Sequence, residues 1–138
     1  IMEKMHSLVG KTKNLISLHN PDGYMLYSCG DEYYAEMEYE SSFSLGVCWH
    51  ERYIGTNGIT LALLEDSPVQ VYGAEHYCAA QHDGTCSAAP IHDRDGKIIG
   101  VLNMAGKDWS GTLTPWGLWH WRLFPLKIIL HCYIPTNW

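Results

Sequence analysis

Four side chains able to bind a metal, exchange electrons or move a proton stand between positions 76 and 86: His76, Cys78, His82 and Cys86. They lie in the stretch GAEHYCAAQHDGTCSAAP, from Gly73 to Pro90. Imidazoles and thiols are the groups whose charge and ligation respond most readily near neutral pH. Two of each make the donor set of many tetrahedral zinc sites, but the spacing His-x-Cys-x3-His-x3-Cys fits no standard zinc module. Asp83-Gly84 breaks the helix that would align His82 with Cys86. Cys78 with Cys86 is an alternative redox pair, and Cys86 with either histidine an alternative nucleophile pair that has no evident third group to orient the base. The broader reading is a pocket for a small organic ligand. In it His76 and His82 donate hydrogen bonds to a carbonyl or hydroxyl, Trp49, Tyr53 and Tyr77 form apolar walls, and Glu75 and Cys86 complete the lining. Each of these residues also has a plainer role, Trp49 and Cys86 as core, Glu75 as a solvated carboxylate and Tyr53 as a cover for a following helix.

The rest of the chain must position this segment, and its size limits how. With 138 residues it amounts to one domain, able to bury about two-thirds of its unfolded surface around one core. An apolar fraction of 46% with 17% charged residues suits a folded soluble protein. The longest apolar stretch, Leu123 to Ile134, is interrupted by Pro125 and Lys127 and is too short for a membrane span. A net charge of -6 with nine scattered cations argues against direct contact with nucleic acid. Five widely spaced cysteines and no secretory signal point to reduced thiols in a cytoplasmic protein, and the opening Ile1-Met2-Glu3 reads as mid-helix, as in a piece of a longer chain.

Apolar residues at Ile1, Met5, Leu8 and Val9 predict a short entry helix over residues 1–13. The runs 14–19 and 24–29 flank Asn20-Pro21-Asp22-Gly23 and predict a β-hairpin. Residues 30–40, rich in acidic and aromatic side chains, suit a half-buried helix, and Ser41 to Trp49 a loop leading into a buried Val47-Cys48-Trp49 segment. Side-chain oxygens in Gly55-Thr56-Asn57-Gly58 can cap a helix over 59–65, whose start Gly58 is expected to loosen by up to roughly 1 kcal/mol. Pro68 to Tyr72 alternates as a strand, and a second hairpin joins 85–91 to 97–104 around a tip carrying Asp95-Gly96. The order predicts an α+β fold, an antiparallel sheet with helices packed on its faces.

Asn20-Pro21-Asp22-Gly23, Gly55-Thr56-Asn57-Gly58-Ile59, Pro68-Val69-Gln70-Val71 with Gly73-Ala74-Glu75-His76-Tyr77, and Thr85-Cys86-Ser87-Ala88-Ala89-Pro90-Ile91 with Gly100-Val101-Leu102 occur in this order between about residues 14 and 106. Together they resemble the N-terminal GAF domain of sigma-54-dependent transcriptional activators of the acetoin and dihydroxyacetone catabolism type. The resemblance implies a GAF-like fold with a ligand pocket between the sheet and the irregular segment crossing it. It also implies a homodimeric sensor without enzymatic activity, a membrane role or a cofactor, in which a small-molecule effector or regulatory protein controls an adjoining ATPase. No Gly-x-x-x-x-Gly-Lys-[Ser/Thr] phosphate loop occurs in this chain. Alternatives are a structural dimerisation module without ligand and a thiol-based redox or metal sensor. Where the resemblance leads one to expect tryptophan before Thr85 there is Gly84, and Gly58 stands in place of an expected alanine.

The expected organisation is a sensory domain over 1–106 and an aberrant tail over 107–138. Trp109, Trp116, Trp119, Trp121 and Trp138 crowd into the tail, and Pro115, Pro125 and Pro135 forbid one continuous helix there. Tryptophan has one codon and histidine two, so a one-base shift largely dictates the alternative residues. From Pro115 onward the permitted readings include M-G-L-V-A-L-A-A-F-S-I-E-N-N-L-A-L-L-Y, an amphipathic stretch of strong helix formers. The tail is therefore expected to be an out-of-frame remnant of a closing helix. Sequencing the encoding DNA checks this: the shifted frame should stay open and encode such a helix, and an early stop codon there ends the idea.

Overall fold

The computed structural model describes residues 14–30 and 44–106. The helix expected over 1–13, that expected over 30–40 apart from Gly30, which ends a strand, and the whole tail over 107–138 lie outside the described residues. Strands β1 (Asn14–His19) and β2 (Met25–Gly30) form the expected first hairpin. Its turn is held by the Asn20 side chain, whose Oδ1 accepts from the backbone N–H groups of Asp22 and Tyr24 at 3.1 and 2.8 Å. Strands β4 (Thr85–His92) and β5 (Ile98–Gly106) form the second hairpin, where Asp93 Oδ1 does the same for Asp95 and Lys97. Strand β3 (Val69–Tyr72) pairs with β4, which completes an antiparallel sheet of order β2-β1-β5-β4-β3.

Proline is rare inside a sheet because it cannot donate to the ladder. Pro90 is accommodated because the β3 pairing of β4 ends at Ala88, leaving one side of position 90 without a neighbouring strand. Helix α2 (Gly58–Glu65) covers one face, and the short helix α1 (Glu51–Ile54) precedes it in the chain. The four-residue α1 was not expected from the sequence, since it is too short to show a period. It is nucleated by His50, whose Nδ1 accepts from Arg52 N–H at 3.2 Å, and it ends at Gly55 with φ 78° and ψ -165°, a combination open in practice only to glycine.

Helix α2 lies against β4 and β5, and Met25, Trp49, Ile59, Ala62, Ala88 and Val101 form the core between them. Trp49 is 2% exposed; a side chain of this size removes roughly 200 Å² of surface from water, on the order of 5 kcal/mol. The start of α2 is the part held most closely, contrary to the loosening expected from Gly58. Asn57 caps it through Oδ1, which accepts from Thr60 N–H at 3.0 Å. A Cβ on Gly58 would stand 2.9 Å from the Cβ of Cys86, so the missing side chain is what lets the helix approach the sheet.

Gly84 is different: it does not occupy the left-handed region, and a Cβ there would meet the Gln81 carbonyl oxygen at 3.4 Å, ordinary contact. Gly58→Ala should therefore destabilise by about 1–3 kcal/mol through overpacking, despite alanine's better helix propensity. Gly84→Ala should stabilise by about 0.4–1 kcal/mol by restricting the unfolded chain. Thermal and denaturant unfolding of both variants check the pair, and equal behaviour would contradict the close helix-to-sheet contact.

Candidate functional site

The segment between β3 and β4 is short-circuited by its own backbone. Gly73 N–H donates to the Gly84 carbonyl at 2.9 Å, so residues 73–84 form a closed loop at the end of the sheet. Within it, 3-10 turns at Gly73–Glu75 and Ala79–Gln81 shape the chain. The Glu75 carboxylate, exposed to solvent, accepts from Tyr72 N–H at 2.8 Å and so fixes the first turn. Tyr77 N–H donates to the Thr56 carbonyl at 3.1 Å, which ties the loop to the residues preceding α2. The Tyr77 ring packs on Gly55, where any Cβ would fall 2.4 Å from ring carbons.

This arrangement divides the expected site residues. Trp49, His76 and Cys86 are buried, while Tyr53 and Tyr77 are 65% and 78% exposed, and Glu75 and His82 also face solvent. Trp49 belongs to the core, its ring edge-on to His19 at 6.4 Å between centroids. The two histidines are linked by a hydrogen bond, but as donors both are already engaged. His76 Nδ1–H donates to the Gly73 carbonyl at 2.9 Å, and His82 Nε2–H to the His76 carbonyl at 3.0 Å. The other ring nitrogen, Nε2, has no hydrogen-bond partner although the residue is 2% exposed.

The thiol chemistry is muted by burial. Cys86 is pushed up to about 12 by desolvation, with the Gly58 backbone N–H pulling weakly the other way. At neutral pH it is a thiol, a poor nucleophile and a poor metal ligand. Cys78 and Cys86 are not joined by a disulfide. Among the described residues no three His, Cys, Asp or Glu side chains converge to hold a metal, so His76, Cys78, His82 and Cys86 are not assembled as ligands.

A second group of polar side chains, not anticipated as part of a site, lies on the sheet face beneath α2. Ser17, His19 and Asn103 are all 3% exposed or less. His19 Nε2 lies 2.9 Å from Ser17 Oγ, and Asn103 Nδ2–H donates to the same oxygen at 3.2 Å. Asn103 Oδ1 has no partner, and it sits 3.7 Å from where a Cβ of Gly58 would be. A signal for this group exists in the sequence: Ser17-x-His19 and Asn103 fall at alternate positions of otherwise apolar strands, where a polar residue turns inward with its neighbours.

Burial lowers His19 to about 4, the nearby Gly23 backbone carbonyl opposing that shift in part. Since the unfolded ring binds its proton near pH 6.5 and the folded one does not, the unfolded state holds more protons between these values. Stability is therefore complete above about pH 6.5 and declines as the pH falls toward 4. Denaturant unfolding should show a loss of roughly 2 kcal/mol between about pH 6.5 and pH 5 that His19→Gln largely removes. A slope unchanged in the variant would assign it to other groups.

The GAF domain family model matches residues 1–120. The acetoin dehydrogenase operon transcriptional activator AcoR of Bacillus subtilis (strain 168) is 36% identical over 104 residues, 75% of this chain and 17% of AcoR. The propane 2-monooxygenase operon transcriptional activator MimR of Mycolicibacterium smegmatis is 30% identical over 95 residues, 64% of this chain and 16% of MimR. The chain thus spans less than a fifth of the length of either activator. Among solved structures, the E. coli DhaR(N)-DhaL complex contains a chain of the same fold, with a TM-score of 0.75 at 19% identity over 80% of this chain and 38% of that one. The five-stranded antiparallel sheet with helices on its face, the ordered motifs and the family match agree: this chain belongs to the GAF domain family, of the type found in AcoR-like transcriptional activators.

Proposed function

We propose that this chain is the sensory domain of a bacterial sigma-54-dependent transcriptional activator, which binds a small-molecule effector and so controls ATPase and DNA-binding regions outside it. The observation that carries the reading is the presence of buried side-chain polar atoms without a partner in the loop over 73–84 and on the adjoining sheet face, in a domain akin to those of transcriptional activators. Polar atoms buried without a partner are costly, and an effector that satisfies them gains affinity from that cost. Trp49, His76 and Cys86 are the inner residues of the proposed site, with Glu75 and His82 shaping the loop and Tyr53 and Tyr77 at its rim. The domain acts by binding rather than catalysis: the Cys86 thiol is too weakly acidic to serve as a nucleophile. As part of a transcription regulator it works in the cytoplasm, as a homodimer. The sensory unit covers 1–106, and 107–138 carries the altered remnant of its closing helix; the family match to residue 120 supports an element of the family in the first part of that tail.

A second reading is favoured by a specific surface. Tyr53 and Tyr77 are both exposed, Tyr77 against Gly55 and Tyr53 two residues before it in the chain, with the Arg52 guanidinium 5.5 Å from the Tyr53 ring centre. Aromatic and arginine side chains are enriched at protein interfaces, and the related E. coli domain is in complex with DhaL. A regulatory protein docking there is the alternative effector.

A thermal-shift screen with small ketones, diols and their phosphates tests the first reading. A ligand that binds only the folded state should stabilise by about 2.7 kcal/mol at a hundredfold excess over Kd, a rise of several degrees. A domain that responds to none of them, yet remains dimeric by sedimentation, would instead be a structural dimerisation module.

A further inference from the structure

Asn57 is followed by Gly58, the only Asn-Gly pair in the chain, and the fold needs each residue where it stands. Asn57 is 0% exposed, and its amide is fully spent: Nδ2 donates to the carbonyls of Trp49 and Gly55, each at 2.9 Å, and Oδ1 accepts from Thr60 N–H at 3.0 Å. Among short side chains only asparagine offers two donors and an acceptor together. Gly58 is needed for a different reason, since a Cβ there would stand 2.9 Å from the Cβ of Cys86. The start of α2 therefore brings together a heat-labile primary amide and, next to it, a backbone nitrogen that no side chain shields.

Such a pair is reactive in an open chain. The Gly58 backbone nitrogen gives up its proton to a base in the solvent and attacks Cγ of Asn57. The N–Cγ bond forms, the Cγ–Nδ2 bond breaks, and the leaving nitrogen takes a proton from solvent and departs as ammonia. Water then opens the succinimide ring at either carbonyl, which leaves aspartate or isoaspartate at position 57. In the folded chain both reacting groups are restrained. The amide is held by its bonds to Trp49, Gly55 and Thr60, and the Gly58 N–H is bonded to the Cys86 sulfur. A planar ring also needs the Gly58 nitrogen nearly eclipsed with the Asn57 Cβ, whereas the extended backbone at Asn57, φ -154° and ψ 168°, holds it well away.

We propose that Asn57-Gly58 is a latent deamidation site, closed by the fold and modified only while the start of α2 is open, and that the modification keeps the cap from forming again. An aspartate at 57 still accepts from Thr60 N–H, but it has nothing to donate to the Trp49 and Gly55 carbonyls and sets a carboxylate oxygen against them. Every arginine and lysine among the described residues is exposed, so no buried cation compensates the new charge. Isoaspartate runs the main chain through the former side chain, and the added methylene displaces Gly58 from its contact with Cys86. Opening of the helix start is reversible, whereas the chemistry that follows it is not.

The test incubates the 138-residue chain at mildly alkaline pH in buffer and in denaturing urea, with peptide mass mapping to detect the exchange of NH2 for OH at position 57 and ammonia release to confirm it. A segment closed more than nine-tenths of the time should react at least roughly tenfold more slowly in buffer than in urea. Urea below the unfolding transition should speed the reaction by the same factor as it speeds exchange of the Thr60 amide hydrogen, which the Asn57 side chain protects. Asn57→Asp, the direct product, should melt below the unaltered chain or fail to fold. Equal rates in buffer and urea, or no reaction at 57 in urea, would overturn the latent site. Reaction and Thr60 exchange that change by different factors would overturn its control by the cap, and an unchanged melting temperature for Asn57→Asp would overturn the block on closing.

Discussion

Asn57 holds together the parts of the domain that meet at the start of α2. It is fully buried, and its amide group donates to the carbonyls of Trp49 and Gly55 while its oxygen caps Thr60 N–H. Thr60 Oγ1 adds a second bond to the Trp49 carbonyl at 2.9 Å. Three features are fixed by this one side chain: the position of Trp49 against His19, the sharp turn at Gly55, and the entry of α2 over Cys86. An apolar residue there would leave buried carbonyls without donors, a larger loss than the bonds themselves are worth. The approach of Gly58 to β4 is possible because the cap determines where the helix begins.

The same closeness explains why the conspicuous thiol in the middle of the sheet is chemically quiet. Packed under Gly58 and beside Ala88 and Ala105, Cys86 behaves as a small apolar residue whose ionisation is suppressed by the environment that makes it fit. Small residues on β4 lower the sheet surface and admit the helix backbone. The polar atoms that remain on this face are those of Ser17, His19 and Asn103, which bond chiefly with one another. What the face can offer a ligand is set by the lone pairs left after those bonds are made.

Much of the fold was legible because its signals are local. Asn20-Pro21-Asp22-Gly23 and Asp95-Gly96 announce the two turns by residue type, and the structure adds that Asn20 and Asp93 each accept from two backbone N–H groups. Asn57 was recognisable as a possible cap. Helix α1 was not legible, since four residues cannot display a period and its cap is a histidine. The site was harder to read because its character depends on partners distant in sequence. Nothing around position 76 in the chain says that His76 Nδ1 is used by Gly73, or that Glu75 turns outward to bond Tyr72. Ser17 and Asn103, 86 positions apart, meet only when β1 and β5 pair.

His76 and Asn103 sit in parts of the domain that are held in different ways. Asn103 sits on β5, which is paired on both sides by β1 and β4 and so belongs to the most rigid part of the sheet. His76 sits on the loop over 73–84, which is joined to the sheet end by one bond between Gly73 and Gly84 and to the α2 approach by one between Tyr77 and Thr56. Local opening of a domain starts where cross-links to the rest are fewest, and the backbone links of this loop run through Gly73, Tyr77 and Gly84. Since Tyr77 leans on Gly55, a change in the loop is passed to the residues that fix the start of α2 and to the exposed Tyr53–Tyr77 surface. The Tyr77–Gly55 contact and the Tyr77–Thr56 bond thus make the loop and the start of α2 one mechanical unit, with the exposed rings of Tyr53 and Tyr77 at its surface.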